Sequence, residues 1–237
     1  NCSNAPNFAL ALTCKRLQEE KKQVVLPKIP SMKALIIGAE PSDLTLLPLI
    51  EKYMGIDRQA VLHSYGLAEH VVLTTAGGSQ TIYPDKLWSV GSLAVSKKLG
   101  DVDVKIIQLE SEKHLAMPIK EAKLGDFGEI WLSSRSVALG YWKRPVLSKQ
   151  VFRAKLSDLK DNTSNSCDGT TYVRTGDLGC VRDGELFISS RIKDLIIIAG
   201  KNISPSDLEH SVEKNFTKLI RPGSSVAFQN NTDSIVL

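Results

Sequence analysis

The chain has 237 residues, 42% hydrophobic and 24% charged, with a formal net charge of +4 at pH 7. That length holds one large domain or two small ones, and the balance is that of an ordinary soluble globular protein. The small charge is spread along the chain and gives no footing for nucleic acid, and no apolar run reaches the roughly 20 residues that span a bilayer.

Cys2, Cys14, Cys167 and Cys180 show neither CxxC nor Cys/His spacing. They read as free thiols of a reducing compartment, so a cytoplasmic location is expected. The chain opens on Asn1 rather than Met, and residues 234–237 (SIVL) stop inside a strand-like run. It is read as part of a longer protein.

In chain order, Ser3 followed by Pro6 predicts a helix start, a capping-type residue with Pro in the first turn. Phe8, Ala11, Leu12 and Leu17 give that helix an apolar face to about Gln18. Residues 32–38 (MKALIIG) read as a buried strand ended by Gly38, and 39–42 as a turn. A helix is expected over 44–54, with Pro48 in its opening turn. Residues 59–64 (QAVLHS) read as a second buried strand leading directly into Tyr65. Helix, strand, helix, strand with a turn after each strand is α/β layering. Ligands of such sheets sit beyond the carboxyl ends of the strands. Residues 38–41 and 64–69 occupy those positions.

Turn signals at Gly77-Gly78 and Tyr83-Pro84 precede a change of texture. Residues 102–109 (VDVKIIQL) and 125–133 (GDFGEIWLS) alternate, and 136–142 follow. They predict short antiparallel strands of a small sandwich or barrel. Residues 157–169 read as a polar surface loop. Asp183-Gly184 between apolar flanks is a two-residue hairpin signal. Residues 195–198 give a further strand. Ser204, Pro205 and Asp207 then open a helix that runs to about Asn215. A turn at 221–223 and a strand from 225 follow. The order after Asp194 predicts a second, smaller α+β unit. Residues 172–200 carry two charge clusters, 174–177 and 191–194, between strand patterns, and they read as a site more than as plain core.

The motif set resembles the adenylate-forming enzymes: acyl-CoA synthetases, luciferases and nonribosomal adenylation domains. It is most similar to their fatty acyl-AMP ligase branch. The likeness is carried in order by residues 5–9 (APNFA), 38–41 (GAEP), 64–69 (SYGLAE), 128–131 (GEIW), 140–142 (GYW), 174–179 (RTGDLG) and 191–198 (RIKDLIII). The resemblance implies an α/β fold. Residues 1–192 would be the C-terminal part of a large AMP-binding domain, split into an α/β part (1–100) and a β-rich, barrel-like part (101–192). Residues 193–237 would begin a small, mobile α+β domain.

The resemblance also implies roles. Gly38, Ala39, Glu40 and Pro41, with Ser64, Tyr65, Gly66, Leu67 and Ala68, would bound the adenine site, Tyr65 stacking on the base. Glu69 would help hold Mg²⁺ near the α-phosphate, as suits a hard cation. Asp177 would accept hydrogen bonds from the ribose hydroxyls, a task for an acceptor-only carboxylate. Arg191 would meet the ribose or phosphate, Lys193 would be the hinge, and Asn7 and Phe8 would face the acyl pocket. ATP and Mg²⁺ are the implied cofactors. The implied partners are a fatty or related carboxylic acid and a phosphopantetheine thiol, on an acyl carrier protein or CoA. The chemistry turns a poor acyl donor into an acyl-adenylate with release of pyrophosphate, mainly by positioning and charge neutralisation.

The family's phosphate loop would fall before residue 1 and its catalytic lysine beyond residue 237, so the chain alone is expected to adenylate very poorly or not at all. Ser190 stands where the family usually has Gly. An acyl-CoA synthetase and a non-catalytic, nucleotide- or partner-binding relative are the alternative readings. Taken alone, Tyr65-Gly66 would be a strand-ending turn, Asp177 a turn acid, Lys193-Asp194 a solvated charge pair and Phe8 a core residue. His63, His70, His114 and His210 are scattered and are assigned no role.

Overall fold

The computed structural model describes residues 1–19, 32–38, 45–71, 73–78, 87–112, 115–159, 169–198, 201–216, 219–221, 224–230 and 235–236. The expectations for Ala39, Glu40, Pro41, His114, Cys167 and most of the 157–169 loop lie outside the described residues.

The chain opens with a strand, β1 (Cys2–Asn4), parallel to β2 (Ala34–Ile37), with Ser3 opposite Leu35. The helix start expected at Ser3 is therefore corrected. Helix α1 (Asn7–Glu19) begins after Pro6, whose carbonyl accepts from the amides of Ala9 and Leu10. The physical reason is twofold. Pro6 pushes Ala5 toward extended backbone, and the β2 edge satisfies the backbone of residues 2–4, with Ala5 N–H bonded to Ile36 O at 3.1 Å. Long-range pairing overrides the local cap signal.

Helix α2 (Leu46–Leu49) holds Pro48 in its first turn, where a missing N–H forfeits no helical bond. It widens into a π turn, Ile50–Met54, that ends on Gly55. Strand β3 (Val61–Tyr65) lies parallel to β2, and β4 (Thr75–Ala76) returns antiparallel along β3. The sheet order is β1-β2-β3-β4. Leu10 and Cys14 of α1, Leu35 and Ile37 of β2, and Leu46, Leu47 and Ile50 fill the layer between sheet and helices. Because β1, β2 and β3 are parallel, their carboxyl ends share one edge.

Next come β5 (Ser89–Ser92), α3 (Leu93–Gly100), β6 (Asp103–Glu112), β7 (Leu115–Glu121) and β8 (Gly128–Ser133). They are followed by α4 (Pro145–Phe152), β9 (Val173–Arg182) and β10 (Glu185–Arg191). The six strands form one antiparallel sheet in the order β5-β10-β9-β8-β6-β7. The sheet takes in β5, which lies before residue 101 in the part expected to be α/β, and among the described residues no pairing joins its edge strands β5 and β7 into a closed barrel. The strand expected over 136–142 is corrected. Gly140 (φ 150°) and Lys143 (φ 54°) take the chain out of extended geometry, and Pro145 then opens α4, which the hydrophobic pattern did not predict.

The Asp183-Gly184 hairpin is present as expected. Arg182 pairs with Glu185, and both turn residues have positive φ (50° and 75°), the geometry whose twist suits a two-residue hairpin. Beyond a short turn at Ile192–Asp194 lie β11 (Ile196–Ile198), β12 (Lys201–Ile203), α5 (Pro205–Asn215), β13 (Phe228–Gln229) and β14 (Ile235–Val236). Helix α5 has the expected bounds. The Ser204 hydroxyl, however, meets Ser206 Oγ at 2.7 Å instead of capping a backbone amide. The Gln229 side chain bonds both Ile197 N–H and Ile197 C=O at 2.9 Å, tying β13 to β11 as a further strand would. No helix among the described residues is long and apolar enough to cross a membrane.

Candidate active site

Three segments meet the shared edge of the first sheet. Residues 5–8 follow β1, Gly38 follows β2, and Gly66 to Glu69 follow β3. This is where an α/β sheet takes its ligands. Strand β3 alternates, burying Val61, His63 and Tyr65 and leaving Ser64 half-buried. The Ser64 hydroxyl donates to Ile37 O at 3.1 Å, and a Cβ on Gly38 would lie 2.6 Å from that hydroxyl. Gly38 and Ser64 are thus packed together with no room for a larger residue at 38.

Tyr65, at the end of β3, crosses to the second sheet. Its phenol donates to Asp177 Oδ2 at 2.6 Å. Arg191 Nε donates to Asp177 Oδ1 at 2.9 Å. Tyr65 and Asp177 are buried, while the Arg191 side chain is 64% exposed. Burial, and after it the Asp177 charge, push the Tyr65 phenol well above the usual tyrosine range, so it stays a donor. The hydrogen bond and charge of Asp177 raise the Arg191 guanidinium further.

Asp177 is aimed by a bulge. Between Glu129 and Trp131 of β8, the facing strand β9 runs from Leu178 to Arg174, so extra residues loop out of the ladder. The Thr175 hydroxyl donates to Ile130 O at 2.8 Å and accepts from Asp177 N–H at 3.0 Å. Beneath it, buried Glu129 accepts from Arg174 (2.9 Å from Nη2), Trp131 Nε1 (2.9 Å) and Gly176 N–H (3.2 Å). Strand β10 has its own irregularity between Ile188 and Ser190, which places Arg191 opposite Asp177. Ser190 buries its hydroxyl there without a hydrogen bond among the described residues.

Glu69 lies in a single helical turn, Ala68–His70, after β3. Leu67 anchors it by packing in two apolar clusters, one with Tyr65 and one with Phe152. Buried His70 bridges Ser134 Oγ (2.5 Å) and Thr74 Oγ1 (3.1 Å), and burial lowers its pKa. Glu69 Oε1 accepts from the Tyr141 phenol at 2.6 Å. Burial, then Glu69, push that phenol up to about 12, while the Arg191 charge pulls the other way.

The described residues contain no group of three or more acidic, His or Cys side chains that could hold a metal. The half-buried Glu69 carboxylate, whose Oε2 makes no hydrogen bond among the described residues, suits a cation that keeps its waters and takes its other ligands from phosphates. That is the habit of Mg²⁺.

Tyr65, Asp177 and Arg191 are thus in direct contact, while Glu69 pairs separately with Tyr141. Gly66, Leu67 and Ala68 connect Tyr65 to Glu69. Lys193 is exposed in the turn between β10 and β11. Asn7 and Phe8 open α1 at the shared edge, Asn7 buried and Phe8 largely exposed. Tyr141 and Glu129 lie within segments 140–142 and 128–131 of the resemblance, which implies a role for neither. Both act through partners far away in sequence.

Known proteins share this sequence and fold. The chain is 32% identical over 226 residues to a 4-hydroxyphenylalkanoate adenylyltransferase of Mycobacterium marinum, covering 90% of this chain and 35% of the relative. It is 32% identical over 249 residues to the long-chain-fatty-acid–AMP ligase FadD32 of Mycolicibacterium smegmatis, covering 95% of this chain and 38% of that one. The chain is similar over nearly its whole length to one part of the adenylate-forming ligases. Among solved structures, it superposes with TM-score 0.63 and 30% identity on the fatty acyl-adenylate ligase of L. pneumophila, crystallised with acyl adenylate and pyrophosphate. That match covers 99% of this chain and 42% of the ligase. No family model matches the chain. It spans little more than a third of the length of the curated ligases it resembles.

Proposed function

We propose that the protein containing this chain activates a fatty or related carboxylic acid with ATP. One carboxylate oxygen of the acid attacks the α-phosphorus, and the bond to the pyrophosphate oxygen breaks, giving acyl-AMP and pyrophosphate. A phosphopantetheine thiol then attacks the acyl carbon, and AMP leaves. The observation that carries this reading is the Tyr65–Asp177–Arg191 cluster at the carboxyl edge of a parallel sheet. The names and ligands of the relatives support the substrate class.

In this reading Tyr65 offers its ring to the adenine while Asp177 fixes its hydroxyl. Asp177 uses its remaining acceptor positions for the ribose hydroxyls. Arg191, exposed and always charged, turns toward ribose or phosphate. Gly38, packed on Ser64, bounds the adenine site at the end of β2. Glu69 would hold Mg²⁺, which would supply charge neutralisation at the α-phosphate. Asn7 and Phe8 face the acyl chain. Lys193 is the hinge between residues 1–192 and the smaller unit from 193.

Pyrophosphate release by the full-length protein from palmitate and ATP, without CoA, tests the first step. No release with any carboxylic acid tried would overturn the reading. Formation of acyl-CoA in place of an acylated carrier protein would assign the acceptor instead to CoA.

A further inference from the structure

Glu69 is gripped from both ends by one loop. The Ala138 N–H donates to the Glu69 carbonyl at 2.9 Å, and the Tyr141 phenol donates to Glu69 Oε1 at 2.6 Å. The loop is itself built onto α4. Tyr141 N–H donates to Ser148 Oγ at 2.8 Å, and that hydroxyl donates to Arg144 O at 2.7 Å. The Tyr141 ring stands edge-on to Phe152, centroids 5.0 Å apart at 75°. Phe152 is fully buried with Leu132 and Val173. Gly140 allows the close approach, because a Cβ there would lie 2.8 Å from Ser148 Cβ and Oγ. A continuous path of contacts therefore runs from the core of the second sheet to one oxygen of Glu69. The other oxygen makes no hydrogen bond among the described residues.

We propose that Tyr141 is a positioning residue for the cation site, holding Glu69 in the rotamer that presents Oε2 to the metal–nucleotide. The inference rests on reading Glu69 as the cation ligand. A carboxylate on a flexible side chain loses rotamer freedom when it binds a cation. One strong bond from a phenol fixed by ring packing removes that freedom beforehand. Groups that orient a metal ligand in this way are worth roughly 10- to 100-fold in metal affinity.

The test is Mn²⁺ binding to the full-length protein saturated with a non-hydrolysable ATP analogue, followed by electron paramagnetic resonance of free Mn²⁺. Tyr141→Phe keeps the ring on Phe152 and removes only the hydroxyl. It weakens Mn²⁺ roughly tenfold, while affinity for the analogue in EDTA stays at the wild-type value. Ser148→Ala loosens the loop without touching the phenol and shifts Mn²⁺ affinity in the same direction by less. Wild-type Mn²⁺ affinity in both variants, with Glu69→Gln strongly impaired, overturns the role of Tyr141 and leaves Glu69 as ligand. Wild-type affinity in Glu69→Gln overturns the reading of Glu69 itself, and the inference with it.

Discussion

Arg191 stands opposite Asp177 across the β9–β10 ladder and donates to its Oδ1 at 2.9 Å, while Tyr65 takes Oδ2 at 2.6 Å. The two bonds differ in kind. The Tyr65 bond is buried and joins the two sheets. The Arg191 bond reaches a guanidinium that is 64% exposed, so as an ion pair it contributes little to stability. Arg191 can leave Asp177 at small cost, and Tyr65 cannot. An ionised carboxylate has about four acceptor positions, so Asp177 can serve Tyr65 and still receive a ligand.

Asp177→Ala in the full-length protein weakens ATP binding. Hydrogen bonds to a charged group are worth about 1.5–3 kcal/mol, roughly 10-fold to more than 100-fold in affinity. Isothermal calorimetry with ATP reads the change. Unaltered affinity would remove Asp177 from the ribose site.

Stability falls above pH 10, and two tyrosines contribute. The folded state raises both the Tyr65 and Tyr141 phenols, Tyr141 to about 12, whereas an unfolded tyrosine ionises near 10. Above pH 10 the unfolded chain has released protons that the folded chain still holds. Stability is therefore fully present below pH 10 and is lost as pH rises toward 12 and beyond. In denaturant titrations at pH 8 and pH 11, Tyr65→Phe shows a smaller drop between the two than wild type. An equal drop in both would show that Tyr65 does not carry the effect.

How far the sequence revealed this site follows from the range of each interaction. Strands β2, β3 and β8, the Asp183-Gly184 hairpin and helix α5 were legible because apolar runs, a two-residue turn signal and a Ser-Pro opening are local features. Strand β1 was not. Ser3 and Pro6 imitate a helix start, and only pairing with Leu35, far along the chain, makes the segment extended. Residues 136–142 misled for a similar reason, since the positive φ of Gly140 becomes visible only in the fold. Asp177 and Tyr65 were reachable through motif resemblance. Glu129 and Tyr141 needed three dimensions, because each matters through a partner more than 40 residues away.

Gly184→Ala tests the hairpin as a local device. A Cβ at Gly184 would meet nothing within 4 Å, so the only penalty is its φ of 75°. Left-handed backbone costs an L-residue about 1–2 kcal/mol. The urea midpoint falls accordingly and ATP affinity is unchanged, because the turn lies at the far end of β9 and β10 from Asp177. A loss of ATP affinity would mean that the hairpin sets the register of Arg191 against Asp177.

Glu129→Gln strikes the support beneath Asp177. The carboxylate accepts from three sources: the Arg174 guanidinium, Trp131 Nε1 and Gly176 N–H. A glutamine has one acceptor oxygen for those three, and its NH₂ adds a donor to a crowd of donors. It also leaves Arg174 charged beside an uncharged group. Breaking a buried ion pair costs 3–5 kcal/mol, and Arg174 keeps 31% of its side chain exposed. The lower end, about 3 kcal/mol, is therefore expected in urea unfolding. Because Gly176 N–H is released, the Thr175–Asp177 turn loosens and ATP affinity falls, though less than in Asp177→Ala. The double variant Glu129→Gln with Arg174→Met leaves no charge stranded, so it recovers part of the lost stability but not the ATP affinity. If the two substitutions instead add, the Arg174 charge is not what makes Glu129 indispensable, and the fault lies with Trp131 and the bulge alone.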